Sequence, residues 1–343
     1  IPSILYYLAL FIQIDAYAAK NNMPGLPKEQ LPKLGETFRN GWHFIAVFIL
    51  LIVMLVYLKQ EVLAPFYATA LLLIINQIFS KERWGMREFW AFILAAGKLL
   101  AEIAAILVGV GLIVGALSIT GMAGTLVNDL VFIAGGDILV LLLMGAIASF
   151  IMGIGMTVTA AYIFLAIVLA PALVQGGLDP LSVHLFILYW GMVSFITPPV
   201  ALGAFAAASI AGASPMRTGF EAMRLGSIIY FVPFFFVLDP AFILHGELSR
   251  TALLFVCAVG GVILVASSLQ GYLVWVGNLH RHPVLGWPIR ALILIGGLAL
   301  ATPGGSDLIP FSDLELALLA LVTAGPAAAL AYLFERRAKA AMA

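Results

Sequence analysis

The sequence predicts an all-α polytopic membrane protein containing a re-entrant helical hairpin and a broken transmembrane helix. Composition is the first observation: of 343 residues, 63% are hydrophobic and 10% charged, and the mean hydropathy is +1.12, against roughly 45–50% apolar usage in soluble domains. The second is that apolar runs near the spanning length of about 17–25 residues recur along the whole chain. The third is that two of these runs, 138–174 and 181–213, are interrupted by helix breakers, GIGMTVT at 153–159 and TPP at 197–199. An interrupted helix in hydrocarbon leaves backbone groups unpaired at several kcal/mol each, so such breaks persist only where protein, water or a solute satisfies them.

In chain order, apolar runs fall near 1–14, 43–58, 62–79, 99–119, 226–244, 251–276, 286–302 and 315–334, with the two broken runs between the fourth and fifth. The polar stretch 15–42, with Pro24, Pro27 and Pro32, reads as a segment at the membrane surface. Residues 84–97 read as an interfacial amphipathic helix, with Trp84, Phe89, Trp90 and Ile93 opposite Arg87 and Glu88. The predicted divisions are 1–137 (scaffold helices and the interfacial helix), 138–213 (transport element), 214–244 (closing helix) and 245–343 (additional C-terminal transmembrane helices). Ile1 opens inside an apolar run with no Met and no basic flank, so the chain is expected to be the C-terminal part of something longer.

Charge placement tests the topology, because cytoplasmic loops carry an excess of Lys and Arg. Four lie in 15–42, four in 80–98, two in 214–226, two in 277–290 and three in the tail; only Lys59 and Arg250 remain. All but these two share one side if 181–213 crosses the membrane once. A turn between two full spans at 197–199 would instead put the upstream and downstream charges on opposite sides. The run 138–174 then needs an even number of passes. Its arm 138–152 reaches about 22 Å at 1.5 Å per residue, short of the roughly 30 Å hydrocarbon core, so a hairpin entering from outside fits best. Two short full spans keep the same parity.

The breaks carry the candidate chemistry. Gly153 and Gly155 permit close backbone approach, while Thr157 and Thr159 add hydroxyl oxygens. Thr197, Pro198 and Pro199 offer the same kinds of group from the other run, because an internal proline frees a carbonyl one turn earlier. Carbonyl and hydroxyl oxygens are neutral, hard ligands suited to Na⁺, and a half-helix N-terminus can face a carboxylate. The Na⁺ candidates are therefore Gly153, Gly155, Thr157 and Thr197, with no organic cofactor. Among ionisable groups, Glu102 is expected to pair with Lys98 and His184 to pack near the outer end of its span. Asp129 and Asp137 are expected to stay solvated, Asp137 also capping the first hairpin arm. Asp239-Pro240 is expected to kink its helix. The lone Cys257 cannot form an intrachain disulfide and reads as a packing residue. With a formal net charge of +0, no nucleic-acid partner is implied. Neither a His-Glu-x-x-His run nor a Gly-x-Gly-Asp run occurs, which argues against an intramembrane enzyme.

Residues 153–162, the LAPAL run at 169–173 and SFITPPVAL at 194–202 resemble the large permease subunit of TRAP transporters. More narrowly, 206–226 and the tail beyond 245 are similar to the fused (4TM/12TM) permeases that work with TAXI-type periplasmic binding proteins. The resemblance implies the second of two inverted repeats of an elevator-type ion transporter, followed by extra C-terminal helices. It further implies a multi-pass protein of the bacterial inner membrane that imports an organic acid by Na⁺ symport. The implied partners are a TAXI-type binding protein, a missing N-terminal half and the lipid bilayer. Many relatives have Pro where the hairpin tip has Val158. The alternative is another secondary transporter, or a passive channel of the same superfamily, working without a binding protein.

Overall fold

The computed structural model describes residues 1–343 except 26, 28, 29, 61, 80–82, 121, 156, 157, 199, 200, 307 and 343. They form two compact units, Pro24–Leu107 and Ile1–Met23 with Val108–Ala343. Helix α1, Pro2–Lys20, opens the larger unit. The smaller unit holds α2, Leu34–Ile52, continued by a π-helical turn at Val53–Tyr57, and α3, Ala64–Phe79. These two pack through Val47, Ala68 and Ile75.

Helix α4 runs unbroken over Met86–Thr120. This corrects the expected separation into an interfacial helix at 84–97 and a span at 99–119. A lone Gly97 in a run of good helix formers costs about 1 kcal/mol relative to Ala, too little to stop propagation.

The larger unit continues with α5, Met122–Ile133, and the hairpin: α6, Ile138–Gly155; α7, Val158–Val168; and α8, Ala170–Gln175. Asp137 caps α6 as its position predicts, its Oδ1 accepting from the amides of Leu139 at 2.8 Å and Val140 at 3.2 Å. The two ends of the hairpin lie side by side, since a Cβ on Gly176 would stand 3.3 Å from Ile138 Cγ1. The run therefore leaves and returns on one side.

The second broken run forms α9, Pro180–Met192, a 3-10 turn at Val193–Phe195, and α10, Leu202–Ala211. Then come α11, Pro215–Leu225; α12, Val232–Leu238, between 3-10 turns Ser227–Tyr230 and Pro240–Ile243; and α13, Leu248–Gln270. The expected span 226–244 is thus three short pieces, of which the first two, Ser227–Leu238, are bent 63° from α11. Pro233 and Pro240 donate no backbone N–H, and the Asp239 carboxylate caps the Ala241 amide at 3.0 Å, ending α12 where a kink was expected.

Helix α13 stops at Gly271 (φ 78°), short of the expected 276. The next residues form the described chain's two-stranded ladder, β1 Tyr272–Leu273 and β2 Gly277–Asn278, pairing Tyr272 with Asn278. Helices α14, Gly286–Ala301, and α15, Asp313–Met342, complete the chain. Small residues let α13 and α14 approach backbone to backbone: a Cβ on Gly261 would lie 2.5 Å from the Gly297 carbonyl. Among the described residues, Pro2–Lys20, Leu248–Gln270 and Asp313–Ala338 are long and apolar enough to cross a membrane. The main core joins α1, the hairpin, α9, α12 and α13 through Leu5, Leu142, Phe186, Phe236 and Val262.

Contacts at the two ends of α13 settle how 181–213 crosses. That helix has 23 residues, about 34 Å at 1.5 Å per residue. Asp179, just before α9, meets His245, just before α13, at 3.4 Å. Ala213 and Ser214, just after α10, line a cavity with Tyr17, while Lys20 Nζ reaches the Gln270 carbonyl at the far end of α13 at 3.5 Å. The segment between Asp179 and Ser214 starts at one end and finishes at the other, one interrupted crossing.

Candidate ion and substrate site

The hairpin tip meets the helix break. A Cβ on Gly153 would stand 2.6 Å from the Gly191 carbonyl oxygen and 3.2 Å from Ser194 Oγ, so only glycine allows α6 to lie this close to the end of α9. Gly191 is twelve residues into α9, about 17 Å along it, and ten residues of α10 still follow the break. The tip thus stops partway through the crossing, as a re-entrant hairpin does.

Hydroxyl groups close the broken end of α9. Ser194 Oγ donates to Gly191 O at 2.9 Å, and Thr197 Oγ1 donates to Val193 O at 2.8 Å. Both side chains are buried, at 3% and 4% exposure. Tyr230 OH lies 3.1 Å from Thr197 Oγ1. Because the threonine proton points to Val193, the tyrosine donates into Thr197 Oγ1 and leaves it one further lone pair. Backbone strain marks the far side of the break: Ala201 has φ 36° immediately before α10. A non-glycine residue held in the left-handed region costs of order 1–3 kcal/mol and persists where surrounding structure imposes it.

Of the sequence candidates, Gly153 and Thr197 are brought to this junction. Gly155 ends α6, and Thr159 is exposed on α7. Pro198 packs on α11, its Cγ 2.7 Å from where a Cβ on Gly219 would stand. Thr157 and Pro199 lie outside the described residues, as does the Glu102 side chain. His184 Nδ1 is 3.1 Å from Tyr162 OH, joining the returning hairpin arm to α9. Asp129 and Asp137 are exposed.

Sequence reasoning missed Gly191, Ser194, Tyr230 and the fully buried Ser149 on α6, whose Oγ has no hydrogen-bond partner among the described residues. Ser194 stood inside the SFITPPVAL run and could have been selected as a hydroxyl beside a break. Tyr230 carries no local signal. Among the described residues no group of three or more His, Cys, Asp or Glu could hold a metal ion, so a cation at this junction would rest on neutral oxygens.

A second missed feature is the partnering of Arg250, one of two basic residues outside the charge bias. Its Nε donates to Asp239 Oδ2 at 2.9 Å, its Nη2 to Gly304 O at 2.8 Å, and its Nη1 to Asp313. An arginine committed to two carboxylates is no topological signal, which explains the exception.

The family described as tripartite ATP-independent periplasmic transporter, DctM component, matches residues 1–251. The chain belongs to this DctM family. No curated protein and no solved structure matches it. As a DctM-family chain it is the integral, multi-pass permease component of a TRAP-type secondary transporter, a system that also includes a periplasmic binding protein and a small membrane subunit. The match ends at the fourth residue of α13, so α14 and α15 extend beyond the matched region.

Proposed function

We propose that this permease imports an organic acid by Na⁺ symport across the bacterial inner membrane, receiving its carboxylate substrate from a TAXI-type periplasmic binding protein. The observation that carries the reading is the Gly153–Gly191 contact with the hydroxyls of Ser194, Thr197 and Tyr230 around it. A largely buried set of neutral oxygens between broken helices suits a small hard cation that must bind and leave. The N-termini of α7 and α10, at the inner ends of their half-helices, supply N–H groups and positive dipole ends to a carboxylate. Coupling follows if the tip and the break close on substrate only when the ion sits among the Gly191 carbonyl and the hydroxyls beside it. The resemblance at 206–226 and beyond 245 supports the TAXI-type partner, and on this reading the chain is the second repeat of a larger permease.

The test is uptake of labelled dicarboxylates and amino acids by the full-length permease in liposomes, with and without a Na⁺ gradient and the binding protein. Uptake requiring both is expected. Uptake unchanged without either would identify a passive channel instead.

A further inference from the structure

A cavity of about 610 Å³ lined by both apolar and charged residues lies between the C-terminal part of α1 and α11. Tyr17, Ser214, Arg217, Thr218, Glu221 and Arg224 line it. Glu221 pairs with Arg224 at 2.6 Å, while Arg217 is exposed with no ion-pair partner among the described residues. Two more cations stand at the end of α13. Lys20 Nζ reaches Gln270 O at 3.5 Å, and Arg290 donates to Ser268 O and Leu269 O, each at 2.7 Å. Both reach backbone carbonyls at the end of α13, and both lie near enough to Arg224 for their charges to repel. Arg217 and Arg224 therefore share the cavity wall with one carboxylate, which pairs with Arg224, and two further cations stand close to Arg224.

Their depth is informative. Lys20, Gln270 and Arg290 mark the ends of helices, two of them long enough to span. Tyr17 and Trp287 are exposed at the same level, with the Arg290 guanidinium 4.7 Å from the Trp287 ring centroid. Exposed aromatic residues beside basic ones are the signature of headgroup depth. Basic pockets between helices at such a depth attract anionic lipid headgroups. A water-filled cleft would leave the excess charge to mobile counter-ions, but here Lys20 and Arg290 are fixed by carbonyls, so the positive field is preorganised.

We propose that this cavity binds the phosphodiester headgroup of an anionic phospholipid, with Arg217 and Arg224 contacting the phosphate and Lys20 and Arg290 supplying the surrounding field. Two of these four groups are positioned by the C-terminal end of α13 and by α14, beyond the family match. The inference gives those extra helices a role: they complete a lipid site against α1 and α11. It does not depend on which ion or substrate is transported.

The test uses the purified full-length permease, delipidated in detergent and titrated with phosphatidylglycerol, phosphatidylcholine or inorganic phosphate. Retained lipid is measured by mass spectrometry and stability by thermal melting. Phosphatidylglycerol should be retained in preference to phosphatidylcholine, about fivefold less with each arginine removed in Arg217→Gln and Arg217→Gln/Arg224→Gln. Glu221→Gln, which removes the competing carboxylate, should retain more phosphatidylglycerol than the unaltered permease, a gain that misfolding does not produce. Equal retention of the two lipids, unchanged retention in both arginine variants and in Glu221→Gln, or a melting shift reproduced by inorganic phosphate alone would overturn the proposal.

Discussion

Gly153 and Gly191 touch backbone to backbone: the carbonyl oxygen of one lies 2.6 Å from where the other would carry a Cβ. They belong to separate interrupted segments, so this contact makes one junction out of two local defects. A methyl group there must push α6 off α9, because the obstructing atom is backbone. Gly153→Ala is therefore expected to cost about 1–3 kcal/mol at the closed junction. Substrate uptake in liposomes should fall by tenfold or more, while circular dichroism shows the helical content retained. Wild-type uptake in Gly153→Ala would remove the contact from the mechanism.

Thr197 and Tyr230 form the hydroxyl pair at the break. Thr197→Val removes the oxygen and is expected to weaken apparent Na⁺ affinity by roughly tenfold, one charge-assisted contact of about 1.5 kcal/mol. Tyr230→Phe keeps that oxygen and frees a lone pair, so its effect on Na⁺ dependence should be smaller. Titrating Na⁺ against uptake for both variants separates the two. Equal effects would mean the pair is structural and the ion lies elsewhere.

Asp179 caps α9 at the end opposite the basic cavity. Burial works to raise its pKa, but the Ser182 amide and hydroxyl and the adjacent His245 outweigh that and hold the carboxyl below its ordinary range. A depressed carboxylate pKa stabilises the fold fully above the unfolded value of about 3.9, and the contribution disappears as pH falls through the lower folded value. Melting temperature should therefore drop on acidification below about pH 4. Asp179→Asn, which can still cap, should flatten that limb. Asp179→Ala should cost about 1 kcal/mol at pH 7, read by thermal melting.

Arg250 ties the start of α13 to Asp239 and Asp313. Arg250→Ala is expected to destabilise the permease by about 2 kcal/mol, since hydrogen bonds to charged groups are lost and two carboxylates are left facing each other. Arg250→Lys should recover little, because an ammonium cannot reproduce the planar fork. Denaturation midpoints of the two variants check this; full recovery by lysine would mean that charge alone matters.

Local features of the fold were readable wherever the cause was local. The Asp137 cap needed only a carboxylate ahead of an apolar run, and the two breaks needed only Gly and Pro inside hydrocarbon-length segments. Two cations from separate basic segments, Lys20 and Arg290, reach the same end of α13. Hydropathy failed where it cannot see hydrogen bonding. The run 226–244 is apolar throughout its middle, yet Pro233, Pro240 and the Asp239 cap divide it. At 84–119 it failed the other way, inferring two elements from a polarity change that α4 passes through without breaking.

By itself the sequence determined the membrane class and the two places where helices must stop. Each follows from transfer free energy or from a backbone donor that proline lacks. Tertiary structure alone decided that Gly153 faces Gly191, that Tyr230 reaches Thr197, and that Lys20 and Arg290 share the end of α13. Those pairings depend on how side chains tens to hundreds of residues apart pack into one core, and no local rule of propensity or charge encodes that geometry.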